Sequence, residues 1–354
     1  MLKTALSGFA ASPVWTVGRE LTIEMAITAA ICLIVTFGLT VLLLRLILPV
    51  LVAKKVGQSI REEGPEWHKS KAGTPTMGGI CFIIAILVST LALFVIWTVR
   101  GDTGFRMIPM ALTLAFGVAN AMIGFVDDYC KLLKKQNEGL TAKQKFVLQM
   151  FVAAAYLAMM AITGNLTTAL YIPFVGATLE LGYAAYVLYL LVIVGFVNST
   201  NLTDGLDGLA SSVAATVAVF MLVCSFLTYN SPELAAISSA LLGGMLGFLV
   251  YNHHPAKVFM GDTGSLFLGG IIIGCAMMQG QLLVFIIAGF VFVFEMLSSL
   301  LQVLYFKATH GKRLFKMAPF HHHLEKCGYG EGKVVTTFVV VTAVLSIIAF
   351  FGIR

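Results

Sequence analysis

Long apolar runs broken by short polar segments dominate the chain. Ten of them fall near residues 25–48, 76–99, 107–126, 144–163, 183–200, 208–229, 234–252, 263–278, 282–306 and 334–353. A helix crossing a bilayer needs about 20 mostly apolar residues, so each run predicts one transmembrane span. The runs are continuous, not alternating in ten-residue segments, which excludes an outer-membrane barrel. Only the polar turn Gln279-Gly280-Gln281 separates the spans 263–278 and 282–306. No internal repeat or linker interrupts the series. The pattern predicts an all-α integral membrane protein, one polytopic domain over residues 1–354. The first run starts beyond residue 20 with no small-residue cleavage site behind it, and reads as a retained helix.

Composition sharpens this picture. Apolar residues make up 59% of the chain and charged residues 11%, against about 25% charged in an ordinary soluble domain. A soluble globule and a disordered chain are both excluded. The six cysteines form no CxxC pair and mostly lie inside apolar runs, so neither disulfides nor a zinc site are expected.

The net charge of +6 is informative through its distribution. Ten spans put both termini on one side. Lys3, Arg19, Arg100, Arg106 and Arg354 lie on that side and Arg45 inside the first span; every other Lys and Arg of the 23 falls on the opposite side. The positive-inside rule makes the basic side cytoplasmic and places the termini outside. The basic excess is therefore a topology signal, with no nucleic-acid partner implied. All seven His residues and Asp127, Asp128, Asp204, Asp207 and Asp262 share the cytoplasmic side, whereas Asp102 lies outside. Only Glu295 and Arg45 are ionisable groups well inside a span. A transporter would typically place its key charges at that depth; here the candidate chemistry sits at the cytoplasmic face.

Five motifs carry that chemistry. Asp127 and Asp128 close the third span, where the negative end of the helix dipole disfavours anions and a cation would offset the cost. Asn198, Asn201, Asp204 and Asp207 recur every three residues, without a basic neighbour, in a stretch that Gly205 and Gly208 break. Phe259-Met-Gly-Asp262-Thr-Gly-Ser265 precedes the eighth span, with Asp262 or Thr263 as its expected N-cap. An exposed helix start binds phosphate, and a carboxylate beside phosphate suits Mg²⁺. Lys71-Ala-Gly73-Thr-Pro75-Thr76-Met-Gly-Gly79 opens the second span, with Thr74 as N-cap and Pro75 at the first helical position. His321-His322-His323-Leu-Glu325 lacks the spacing of a zinc-binding HExxH helix and reads as cationic and hydrogen-bonding groups for a diphosphate. Each motif alone also fits helix punctuation or a solvated loop. Together, on one face of one membrane domain, they indicate diphosphate chemistry on a lipid substrate.

The same motifs closely resemble those of the phospho-N-acetylmuramoyl-pentapeptide transferase (MraY) family, within the polyprenyl-phosphate N-acetylhexosamine-1-phosphate transferases. The resemblance rests on Gly73–Gly79, Asp127-Asp128, Asn201–Gly208, Phe259–Ser265 and Ala318–Glu325, in order over about 250 residues. It implies ten transmembrane helices with a cytoplasmic cleft in the bacterial inner membrane, commonly as a homodimer. The implied reaction moves phospho-MurNAc-pentapeptide from UDP-MurNAc-pentapeptide to undecaprenyl phosphate, giving lipid I and UMP in peptidoglycan biosynthesis, with Mg²⁺. It implies Asp127, Asp128, Asp262, His321, His322 and His323 as catalytic, with Asp262 on the metal. Lys71, Thr76, Asn198, Asn201, Asp204, Asp207, Asn252, Phe259 and Gln302 are implied in substrate binding, with Phe259 stacking on uracil. The residues leave open whether the lipid phosphate attacks directly or through a covalent aspartyl intermediate. The alternatives are a sister enzyme using another UDP-HexNAc and, from a different class, a lipid flippase or transporter.

Overall fold

The computed structural model describes residues 19–53, 73–101, 106–134 and 139–353. Lys71, His68 and Asp102 lie outside the described residues. Among the described residues, ten helices are long and apolar enough to cross a membrane. They are α1 (Arg19–Ala53), α2 (Gly79–Arg100), α3 (Met107–Lys134), α4 (Ala142–Ile162), α5 (Ala184–Thr203), α6 (Leu209–Leu227), α7 (Pro232–Asn252), α8 (Gly261–Gln279), α10 (Phe290–Ala308) and α12 (Glu331–Phe351). Two seven-residue helices, α9 (Leu282–Ala288) and α11 (Phe320–Lys326), complete the helices among the described residues.

The bundle is built around α8, which is almost wholly buried along its length. Small residues let its neighbours approach, as expected where helices meet inside a membrane. Gly79 at the start of α2 lies against Gly264 of α8, so closely that a side chain on Gly79 would meet the Gly264 backbone at 2.5 Å. α3 and α5 flank α8, while α7 packs against α1, α2 and α6. α1, α4, α10 and α12 turn much of their apolar surface outward, with Ile34, Phe151, Leu300 and Ile347 all exposed. That is the surface lipid covers.

Three expectations need correction. The run 282–306 is not one helix: it divides at Gly289 into α9 and α10. The spans are all α-helical as expected, with one small addition between them. A two-stranded antiparallel hairpin, β1 (Ala169–Ile172) and β2 (Ala177–Glu180), joins α4 to α5, where alternating Leu, Tyr, Ile and Thr flank a Pro/Gly turn. Thr74 and Pro75 do not start α2. The helix begins at Gly79, because Pro75–Gly79 pairs instead with the segment before α8: Phe259 donates to the Pro75 carbonyl at 2.8 Å, and Gly78 to that of Phe259 at 2.9 Å. Neither Asp262 nor Thr263 is an N-cap, since both lie inside the first turn of α8.

Candidate functional site

One end of the bundle collects the ends of α3, α5, α7 and α10 and the starts of α2, α4, α6, α8 and α12. Asp127 and Asp128 are on α3, but not at its C-terminus. The helix continues through Tyr129–Lys134, about two turns further, so the dipole argument does not apply to them. Their negative charge is instead met across helices.

Asp128 receives the start of α8. Its Oδ1 accepts from the Asp262 N–H at 3.2 Å, and its Oδ2 from the N–H and hydroxyl of Thr263 at 2.9 and 2.7 Å. A carboxylate from another helix thereby does the work of the missing N-cap, at the positive end of the α8 dipole. Thr76 stands beside this contact, for a side chain on Gly261 would meet its hydroxyl at 3.0 Å. Asp127 accepts from the Leu140 N–H at 2.7 Å, which ties the approach to α4 onto α3.

Asp127, Asp128 and Asp262 each bring a carboxylate oxygen within 4.8 Å of the others. The Lys131 ammonium stands among them, 2.6 Å from Asp127, 3.8 Å from Asp128 and 2.9 Å from Asp262. Lys145, from the first turn of α4, reaches Asp262 at 2.9 Å and the side-chain Oδ1 of Asn201 at 3.1 Å. Asn201 in turn donates to Asp262 and to the Ser265 hydroxyl, both at 2.8 Å. The three carboxylates are an all-oxygen set held by rigid helices, and a cation already occupies their midst as an ammonium group. Such a set fits a hard divalent ion.

Asp204 caps the end of α5. Burial first, then repulsion from Asp262, Asp128 and Asp207, pushes its carboxyl up to about 8. Asp207, buried in the same loop, forms a second cluster. Its Oδ2 lies 3.1 Å from His254 Nδ1 and accepts from the Ala256 N–H at 3.0 Å, while Glu331 lies 3.6 Å from His254.

The remaining predicted residues divide by their partners. Phe259 is half-buried, with its backbone clamped to Pro75 and Gly78. Asn198 donates to Gln149 at 2.7 Å and to the Val194 carbonyl at 2.8 Å. Asn252 is 2% exposed and braces the chain between Ser211 and the Val258 carbonyl. Gln302 uses both ends of its amide on the Phe315 backbone, at 3.2 and 2.8 Å. Asn252 and Gln302 thus shape the loops on which other site residues stand. His322 pairs with Glu325 at 2.7 Å, and His323 Nδ1 accepts from the Lys316 N–H at 3.1 Å. His321 is buried and faces Glu295 at 2.8 Å.

Lys145, Ser265, His254, Glu331 and Glu295 were not singled out by sequence for these roles. Lys145 carried a signal: a cation in the first turn of a helix opposes the dipole and needs an anion, here Asp262.

Comparison with known proteins follows the same residues. A profile for glycosyl transferase family 4 matches residues 110–280, and a phospho-N-acetylmuramoyl-pentapeptide-transferase signature matches residues 71–83. The chain is 43% identical over 327 residues to the phospho-N-acetylmuramoyl-pentapeptide-transferase of Staphylococcus epidermidis, covering 92% of this chain and 98% of that protein. It is 44% identical over 319 residues to the protein of that name from Halalkalibacterium halodurans, covering 90% and 95%. With the one from Clostridium acetobutylicum the identity is 45% over 320 residues, covering 90% and 97%.

Proposed function

The chain belongs to the phospho-N-acetylmuramoyl-pentapeptide-transferase family, and from that premise we propose how its residues carry the family's reaction. The reaction transfers phospho-MurNAc-pentapeptide from UDP-MurNAc-pentapeptide to undecaprenyl phosphate, forming lipid I and releasing UMP. The observation that carries the site assignment is the triad of Asp127, Asp128 and Asp262 around the Lys131 ammonium, at one end of a ten-span bundle.

In this reading the lipid phosphate attacks the sugar-linked phosphorus of the UDP-sugar and UMP departs. Phosphoryl transfer of this kind is served mainly by positioning and charge neutralisation. Asp262, with Asp127 and Asp128, would hold Mg²⁺. The bound ion supplies charge neutralisation on the diphosphate and a template for its oxygens. Lys131 and Lys145 then bring two ammonium groups to the same oxygens, released from the aspartates they now pair with. Asn201 orients Asp262. Asp128 keeps the α8 start, and with it Asp262, in place. A phosphomonoester has its second pKa near 6, so the lipid phosphate is largely dianionic at neutral pH and an aspartate need not remove a proton. Phe259 and the Asn201–Asp207 stretch receive the uridine, with Lys71 and Thr76 toward the phosphates. Asn198, Asn252 and Gln302 act through the backbone and side chains they brace. The histidines contact the sugar diphosphate.

The site lies on the cytoplasmic face of a bacterial inner membrane in this reading, because the charge pattern of the sequence assigns most basic residues to the side that carries the site motifs. The chain acts as one domain and as a homodimer. Incubation of the purified protein with UDP-MurNAc-pentapeptide, undecaprenyl phosphate and Mg²⁺ should yield UMP and a lipid-linked product in equal amounts. Turnover of UDP-GlcNAc in place of the muramoyl donor, or solute flux without UMP, would overturn the reading.

A further inference from the structure

Glu295 lies on α10 with no solvent exposure, and His321 at the start of α11 is 1% exposed. Both oxygens of this carboxylate serve the one histidine. Oε1 accepts from the His321 backbone N–H at 3.2 Å, and Oε2 lies 2.8 Å from ring Nδ1. A carboxylate accepts hydrogen bonds, so Nδ1 carries the proton and the neutral ring keeps its lone pair on Nε2. In the imidazolium, Nδ1–H still faces Glu295. Nε2 is the only ring nitrogen whose state can differ.

That nitrogen is buried and has no hydrogen-bond partner. Native proteins leave few buried polar atoms in this condition, and each calls for an explanation. Its direction supplies one. A side chain on Gly205 would collide with His321 Nε2, so the ring is aimed at the loop between Asp204 and Asp207. This loop follows directly on the end of α5, where Asn201 donates to Asp262 at 2.8 Å. Gly205 is therefore the residue whose lack of a side chain admits the ring, and Glu295 is the residue that holds it there.

We propose that Glu295 is a positioning residue for the transfer reaction. It fixes His321 through Nδ1 and the backbone, and so presents Nε2 across Gly205 to the sugar diphosphate of the donor. The inference rests on the transferase reading given above. Glu295 touches no substrate itself and acts only through the ring. A glutamine in its place has one acceptor oxygen for two donors, so either one bond is lost or its amide NH2 donates to Nδ1 and moves the ring proton to Nε2.

The first test is nitrogen NMR of the full-length protein labelled at histidine, with the His321 signal assigned by its absence in His321→Gln. The neutral ring should carry its proton on Nδ1; a proton on Nε2 instead would overturn the proposal, whatever any variant does. The second test is kinetic. Partners that orient metal-ligating histidines are worth 10- to 100-fold, and by analogy Glu295→Gln should lower kcat by about that factor while UMP affinity stays within about twofold. In a His321→Ala background, Glu295→Gln should cost nothing further, because a residue that acts through the ring has nothing left to position. Independent, multiplying losses would show a separate structural role and sink the idea, as would unchanged turnover in Glu295→Gln. Should Glu295→Gln fail to fold, the ring tautomer in the parent decides alone. A parent that releases no UMP from any UDP-sugar would defeat the transferase reading, and the tautomer would still report on the pair.

Discussion

Asp128 on α3 holds Thr263 on α8 by both its backbone N–H and its hydroxyl, at 2.9 and 2.7 Å. The aspartate pair is thus divided in function by its partners. Asp128 faces the start of a neighbouring helix, while Asp127 faces Lys131 and the Leu140 N–H. Asp128 couples fold to site, because the helix it caps carries Asp262.

Removing that cap should cost stability. Loss of a helix cap is worth about 0.5–2 kcal/mol, and bonds to a charged acceptor add to this. Asp128→Ala should therefore unfold at a lower temperature than the parent in the same detergent, by several degrees. Asp128→Asn, which keeps one acceptor, should fall between them. Equal melting of all three would contradict the capping role.

Asp262 should fail in a different way. It lies with two other carboxylates within 4.8 Å and pairs with both Lys131 and Lys145 at 2.9 Å, so neutralising it relieves repulsion but gives up two ion pairs. Asp262→Asn should remain folded yet lose turnover at every Mg²⁺ concentration, since an amide is a poor ligand for a hard cation. Activity within a factor of two of the parent at limiting Mg²⁺ would reject Asp262 as the metal ligand.

The raised Asp204 carboxyl gives a pH prediction. An unfolded aspartate loses its proton near 3.8, whereas this one keeps it up to about 8. Between those values the folded protein binds a proton that the unfolded chain has released. The folded state therefore loses stability as pH rises through that window. Asp204→Asn should flatten the decline in melting temperature. A divalent cation among Asp262 and Asp128 opposes their repulsion on Asp204, so adding Mg²⁺ to the parent near neutral pH should release protons, and less so in the variant. Identical proton release from both would exclude Asp204 as the source.

Orientation is tested at Lys316. It lies at the same end of the bundle as the site, in the basic stretch before α11. Lys316→Cys should resist an impermeant thiol reagent applied to intact cells and react in inverted vesicles. Labelling from outside the cell would reverse the topology.

The spans were legible in the sequence because continuous apolar runs of this length have one stable form in a bilayer. Charge distribution placed the site motifs on one face, and the structure gathers Asp127, Asp128, Asn201 and Asp262 there. What local reading missed was pairing between distant segments. Thr74 and Pro75 have the chemistry of a helix start, but Phe259 donates to the Pro75 carbonyl and ties the segment to the approach to α8. Asp262 and Thr263 look like caps, but Asp128 supplies the cap from 135 residues away. Glu295 reads as a lone charge in a span until α11 folds His321 back onto it.

Phe259 gives the sharpest test of nucleotide recognition. It stands three residues before Asp262, so one nucleotide can reach both. Its backbone is held on both sides, by the Pro75 carbonyl at 2.8 Å and the Gly78 N–H at 2.9 Å. Those bonds do not involve the ring, so Phe259→Ala removes the aromatic face and leaves the backbone hydrogen bonds and the α8 start in place. Stacking of a base on an aromatic side chain is worth about 1–3 kcal/mol by alanine substitution in single-strand nucleic-acid proteins. At about 1.4 kcal/mol per decade, Phe259→Ala should weaken binding of UMP by roughly 5- to 150-fold. Phe259→Trp, which keeps a π-face, should retain most of the affinity. Saturation by the lipid substrate should change little in either. Direct titration of UMP against the parent and both variants decides the matter. Stacking is the wrong account if both variants bind as the parent does, and equally if both lose binding to the same extent.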